Sequence, residues 1–146
     1  MGRRKMTWKE KRARDEKNPK SKLWFNRAYK KWKEYVRLRA ECKCEVCGCV
    51  EEGKKHNCHH IVTQGAAHHL QTKERNGVYL CTRHHGNNTN GSPHGPDSWK
   101  FAVWLDENRH DDYLWVQDNH FKNKEPPDYI DDFNRIEGLV IKILDK

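Results

Sequence analysis

Cys44-Glu45-Val46-Cys47-Gly48, then Cys58-His59-His60-Ile61-Val62, then Leu80-Cys81-Thr82-Arg83-His84-His85 are the stretches that decide how this chain folds. Two sets of metal-seeking side chains are interleaved in them. Cys44, Cys47, Cys81 and His84 form two C-x-x-[CH] knuckles from separate stretches, the pattern with which structural zinc is held tetrahedrally. Gly48 permits the tight turn that aims the first two sulfurs at one ion. His59, His60 and His85 stand one step along from these ligands and are not needed by a zinc. An ion in the first set holds a fold together, whereas spare imidazoles beside it point to chemistry.

Neighbouring side chains on a strand face opposite ways, so His59 and His60 divide their work rather than chelate one ion together. One can bind a metal while the other faces a water or a phosphate. On a helix start His85 is turned by about 100° from His84, towards the strand that carries His59. Cys42, Cys49 and Cys58 remain as spare cysteines.

Working outward, the chain has 146 residues, 34% of them hydrophobic, and six tryptophans. A core this small calls for a staple, and a metal is one available kind. The net charge of +8 is unevenly distributed: residues 1–41 hold 16 Lys/Arg against 5 Asp/Glu, and residues 97–146 hold 7 against 12. A basic N-terminal part points to a polyanion, with DNA phosphates as the first candidate. Arg3, Arg4, Lys30, Lys31, Arg37, Lys73 and Arg83 are the candidate phosphate contacts. The first residues lack the apolar run of a signal peptide, and no stretch approaches the ~18 apolar residues of a membrane span. An intracellular, cytoplasmic location without a membrane partner is expected, and in a reducing compartment cysteines serve as metal ligands rather than disulfides.

Four regions are expected. Residues 1–18 form a basic arm, flexible or only partly helical, ending at Asn18-Pro19, where Pro suits the first turn of a new helix. Residues 19–41 hold a basic amphipathic helix, with Trp24, Phe25, Ala28, Tyr29, Trp32, Tyr35 and Val36 at three- and four-residue steps. Residues 42–96 carry the metal ligands, a Gly/Lys-rich turn over 51–55, a strand ending in Ile61-Val62, a second strand Val78-Tyr79-Leu80 led in by Asn76-Gly77, and a short helix from Thr82. Residues 97–146 are helical and acidic. One helix starts near Ser98 with Trp99, Ala102, Val103 and Leu105; another runs from about Asp128 to Leu144 on Ile130, Phe133, Ile136, Val140 and Ile143. The fold class is therefore α+β.

The order and spacing of Cys44-x-x-Cys47-Gly48, His59-His60-Ile61-Val62, Asn76 and Leu80-Cys81-x-x-His84-His85 resemble the HNH (ββα-metal) endonuclease family, in a zinc-bearing form common in bacteriophage genomes. The resemblance covers residues 44–85 and, through His94, extends to residue 94. It implies a small ββα-metal core stapled by a structural zinc, flanked by the N-terminal basic helix and the C-terminal helices. It also implies metal-dependent hydrolysis of DNA, with His60 as general base and Asn76 bracing the loop between the strands. His59 and His85 would be ligands of a catalytic divalent cation (Mg²⁺, Mn²⁺, Ni²⁺ or Zn²⁺), with His94 as the further ligand and Asn88 behind it. Two departures stand out: Thr63 replaces the usual Pro after His-Ile-Val, and the last zinc ligand is His84 rather than Cys. The competing expectations are a zinc-stabilised DNA-binding module without catalysis, and an adaptor with a phage protein partner in a packaging or recombination machine. For the adaptor, Trp99, Trp104, Trp115 and the acidic C-terminal helix would form the partner surface.

Overall fold

A computed structural model describes residues 2, 4–51, 56–86, 91–122 and 125–146. Among them are six α-helices and one two-stranded antiparallel sheet, an α+β arrangement. Arg3, Asn88 and most of the Gly/Lys-rich turn lie outside the described residues.

Helix α1 (Trp8–Lys17) lies within the stretch expected as an arm and starts on a capping box. The Thr7 hydroxyl accepts from Glu10 N, and the Glu10 carboxylate accepts from Thr7 N at 2.8 Å. It buries no residue, so local capping and charge shape it more than packing does. The next helix does not start on Pro19. Ser21 caps it, and α2 (Lys22–Arg39) follows, while the Pro19 carbonyl instead accepts from Tyr129 N. Ala28, Trp32 and Val36 are the fully buried residues of α2, one per turn along a single face. Glu41 and Cys42 then take left-handed φ values of 53° and 57°, which swing the chain off the helix into the Cys44–Cys47 knuckle. Gly48 (φ 72°) closes that knuckle, with Gly48 N donating to Cys44 O at 2.7 Å.

The sheet pairs β1 (Asn57–His60) with β2 (Gly77–Leu80), His59 opposite Val78 and His60 opposite Gly77. β1 ends at His60, so Ile61 and Val62 belong to the loop and not to the strand. The pleat sends alternate residues to two different cores. On one face Val78 and Leu80 pack with Cys44, Cys81, Phe101 and Leu105; on the other, Tyr79 packs with Trp32, Val36, Ile136 and Val140. Gly77 is required by close approach, because a Cβ there would overlap Val36 and stand 2.9 Å from Trp32.

After β2 comes the short helix α3 (Thr82–His85), then α4 (Ser98–Asn108), α5 (His110–His120) and α6 (Tyr129–Leu144). α4 buries Phe101 and Leu105, while Trp99 and Val103 are exposed. α5 lies within the region expected to be helical but outside the two helices placed there: it buries only Val116 and is tied down by Arg75 on Asp112 and by Arg109 on Glu45 and the Gly77 carbonyl. α6 packs along α2, and its buried face is Tyr129, Asp132, Ile136 and Val140. Asp132, only 1% exposed, accepts from Thr72 Oγ1 (2.5 Å), Lys73 Nζ (2.6 Å) and Arg135 Nη1 (2.9 Å). A buried carboxylate needs this many donors to offset its lost hydration. Among the described residues, no helix is long and apolar enough to cross a membrane.

Candidate metal centres

Cys44, Cys47, Cys81 and His84 come together, with all four ligand atoms within 4.8 Å of one another. The shorter separations are Cys81 Sγ to His84 Nδ1 at 3.2 Å, Cys44 Sγ to His84 Nδ1 at 3.7 Å, and Cys47 Sγ to Cys81 Sγ at 4.0 Å. Zinc, with bonds of about 2.3 Å to sulfur and about 2.0–2.1 Å to nitrogen, sets tetrahedral edges of about 3.8 Å between sulfurs and about 3.6 Å between sulfur and nitrogen. The cluster brackets those edges, so it could hold a metal ion and is compatible with structural zinc. Burial, and to a lesser extent the Arg83 charge, lowers the His84 pKa and keeps its nitrogen free for a metal.

Glu45, inside the knuckle, docks it to the sheet. Its carboxylate accepts from Tyr79 N at 2.6 Å and from Arg39 and Arg109, and its N–H donates to Tyr79 O. In the sequence Glu45 is only a position between two ligands, and nothing local marks its docking role. Of the spare cysteines, Cys58 Sγ lies 3.3 Å from the Lys33 carbonyl and burial pushes its thiol up to about 11, while Cys49 Sγ sits 3.6 Å from His56 Nε2. Neither belongs to the four-atom cluster, and nor does Cys42.

A second cluster gathers His59, His85 and His94, again with ligand nitrogens within 4.8 Å of one another. The rings meet edge-on at 70–87°, with centroids 4.7–5.2 Å apart. His59 comes from the end of β1, His85 from α3, and His94 from the loop before α4. His85 owes its place to His84: adjacent residues on one helical turn diverge, so the first faces the sulfurs and the second faces β1. Burial, reinforced by His94, His85 and His60, pushes His59 down to about 3; burial and then His94 lower His85. Both are neutral at ordinary pH and offer lone pairs rather than protons.

His60 points to the opposite face. Its ring lies flat on Trp32, with centroids 4.2 Å apart at 5°, and its Nε2 is 2.9 Å from the Gln71 carbonyl. A carbonyl can only accept, so Nε2 carries the proton and Nδ1 is left as the basic nitrogen. Burial lowers the His60 pKa against the pull of that hydrogen bond, so the ring is neutral and able to take a proton. All four imidazoles line one cleft of about 240 Å³, together with Tyr29, Cys58, Thr63 and Gln64. Asn76 is fully buried and braces the loop. It accepts from Val62 N at 2.8 Å and donates to the Val62 and Leu70 carbonyls.

The candidate phosphate contacts fare differently. Lys30 and Arg83 are exposed. Arg4 pairs with Glu10, Lys31 with Glu34 and Arg37 with Glu51. Lys73 is drawn inward onto Asp132. Comparison with protein families, curated proteins and solved structures finds no match to this chain. The functional reading therefore rests on the chain's own chemistry.

Proposed function

We propose that this protein is a metal-dependent DNA endonuclease with an HNH-type ββα-metal centre, acting in the cytoplasm on phage or mobile-element DNA. The observation that supports it most is the shared cleft: the imidazoles of His59, His85 and His94 converge at one point, and His60, its Nε2 turned to the Gln71 carbonyl, lines the same space. A protein that only bound DNA would have no use for both.

In this reading the Cys44, Cys47, Cys81, His84 set holds a structural zinc and takes no part in the reaction. His59, His85 and His94 would hold an exchangeable divalent cation such as Mn²⁺, Ni²⁺, Zn²⁺ or Mg²⁺. Imidazole donors favour the first three. When bound, that ion supplies Lewis acidity to the phosphate and the leaving 3′ oxygen. His60 Nδ1 takes the proton of an attacking water, and the resulting imidazolium is steadied by the Gln71 carbonyl on its far side. General-base help of this kind accounts for about 10²–10⁴ in rate. Asn76 holds the loop that presents the Gln71 carbonyl. Lys30 and Arg83 are left exposed to meet DNA phosphates, in contacts that carry no base information.

The test is cleavage of supercoiled plasmid with Mg²⁺, Mn²⁺ or Ni²⁺ and with EDTA, for the natural protein and His60→Ala. The expected result is metal-dependent cleavage that EDTA abolishes and His60→Ala lowers by about 10²–10⁴, with DNA affinity and bound zinc preserved. DNA binding without cleavage in any metal would establish instead the non-catalytic binding module.

A further inference from the structure

One wall of the cleft has no part in the chemistry above. Tyr29, on α2, and Gln64, in the loop after β1, form it together. Gln64 Nε2 donates to the Tyr29 hydroxyl at 3.2 Å, so the oxygen accepts there and its own proton is left to give. The Tyr29 ring is nearly parallel to Trp32 (5.6 Å, 11°) and to His60 (5.9 Å, 10°), so the stack that sets the plane of His60 also aims the phenol. Lys33, one turn further along α2 and exposed, places its Nζ 5.0 Å from the ring centre. Among the described residues lining the cleft there is no Asp or Glu. A hydroxyl proton in a cleft lined by no carboxylate, on a ring that an ammonium group overlies, is suited to an anion.

We infer that the Tyr29 hydroxyl, braced by Gln64 and backed by Lys33, binds a non-bridging oxygen of the phosphodiester and turns the phosphorus towards the water held by His60. The inference rests on the nuclease reading and adds to it a substrate contact from the N-terminal helix. Burial raises the Tyr29 pKa, so the phenol keeps the proton that it donates. A hydrogen bond from a fixed donor to a phosphate oxygen excludes poses in which the phosphorus faces away from the water.

Tyr29→Phe tests the idea, because it keeps the ring and its stack and removes only the O–H. Cleavage kinetics are measured for the natural protein and Tyr29→Phe on an oligonucleotide duplex, and on the same duplex with sulfur replacing either non-bridging oxygen at the cut site. Loss of a hydrogen bond to a charged group predicts a fall of about 10- to 100-fold in kcat/KM, with melting temperature and bound zinc unchanged. One sulfur diastereomer should slow the natural protein yet leave Tyr29→Phe no slower than it already is, since sulfur accepts hydrogen bonds poorly and the two changes remove the same contact. Gln64→Leu, which removes the brace, should give a smaller loss in the same direction. Equal kcat/KM for natural protein and Tyr29→Phe, or a sulfur effect that multiplies with the substitution, overturns the inference while the nuclease reading stands. No cleavage by the natural protein in any metal brings down both.

Discussion

The two ligand clusters lie side by side yet are built in opposite ways. The cysteine cluster is closed by its own backbone: Cys44 N donates to Cys49 O, Gly48 N to Cys44 O, and Glu45 anchors the knuckle to β2. The histidine cluster is assembled from a strand end, a helix start and a loop, and it opens onto a cleft. Thiolates in a four-ligand set favour a tightly held ion, whereas a set of three imidazoles leaves a coordination position for water or substrate. The contrast exists because His84 and His85, neighbours in sequence, face opposite ways from one turn of α3; in the proposed function it is that between a staple and a working site.

The largest effect should come from breaking the staple. Cys81→Ser, or prolonged chelation, should abolish the cooperative thermal transition, since structural zinc contributes about 10–16 kcal/mol of apparent binding energy in small metal domains. Circular dichroism and metal content measure this, and an unchanged melt after metal removal would refute the assignment. His85→Ala should act only on the other cluster. Calorimetric titration with Mn²⁺ or Ni²⁺ should show at least about tenfold weaker binding, or ~1.4 kcal/mol, with zinc content and melting temperature retained. If both metals were lost together, the two centres would be one unit and the contrast would fail.

A smaller effect sharpens the comparison by testing what holds α5 against the sheet. Burial alone would raise the Asp112 carboxyl, but hydrogen bonds from Arg75 and Arg109 outweigh it and hold the pKa below its ordinary 3.8. Asp112→Asn should therefore cost about 1–2 kcal/mol at neutral pH, a range that allows for solvent still reaching the pair. A carboxylate with a lowered folded-state pKa stabilises fully above its unfolded value. The difference between the natural protein and Asp112→Asn should thus be complete above pH 3.8 and close as pH falls through the lowered pKa. Denaturant melts across that window measure it, and a difference that widens on acidification would reverse the sign.

Much of this was legible from residues alone, and the reason is spacing. Cys44 with Cys47, and Cys81 with His84, each lie within one turn, so sequence separation nearly dictates spatial separation. The same holds for the opposed faces of His59 and His60, and for α2 and α6, whose apolar residues recur at helical intervals. α5 left no such trace, because salt bridges and not an apolar stripe secure it. Lys73 looked like a phosphate contact, but Asp132, far along the chain, draws it inward. The partner that sets the tautomer of His60 is the backbone carbonyl of Gln71, a group every residue possesses and no letter announces.

By itself, then, the sequence determined which side chains could bind metal and how they divide into two sets, because ligand chemistry and short-range backbone geometry are local. Only the tertiary structure decided that His59, His85 and His94 meet, that His60 lies on Trp32 with Nδ1 as its basic nitrogen, and that Tyr29 stands over the same cleft. Those contacts join distant parts of the chain, and burial of the two cores on either side of a sheet of two four-residue strands is what brings them together.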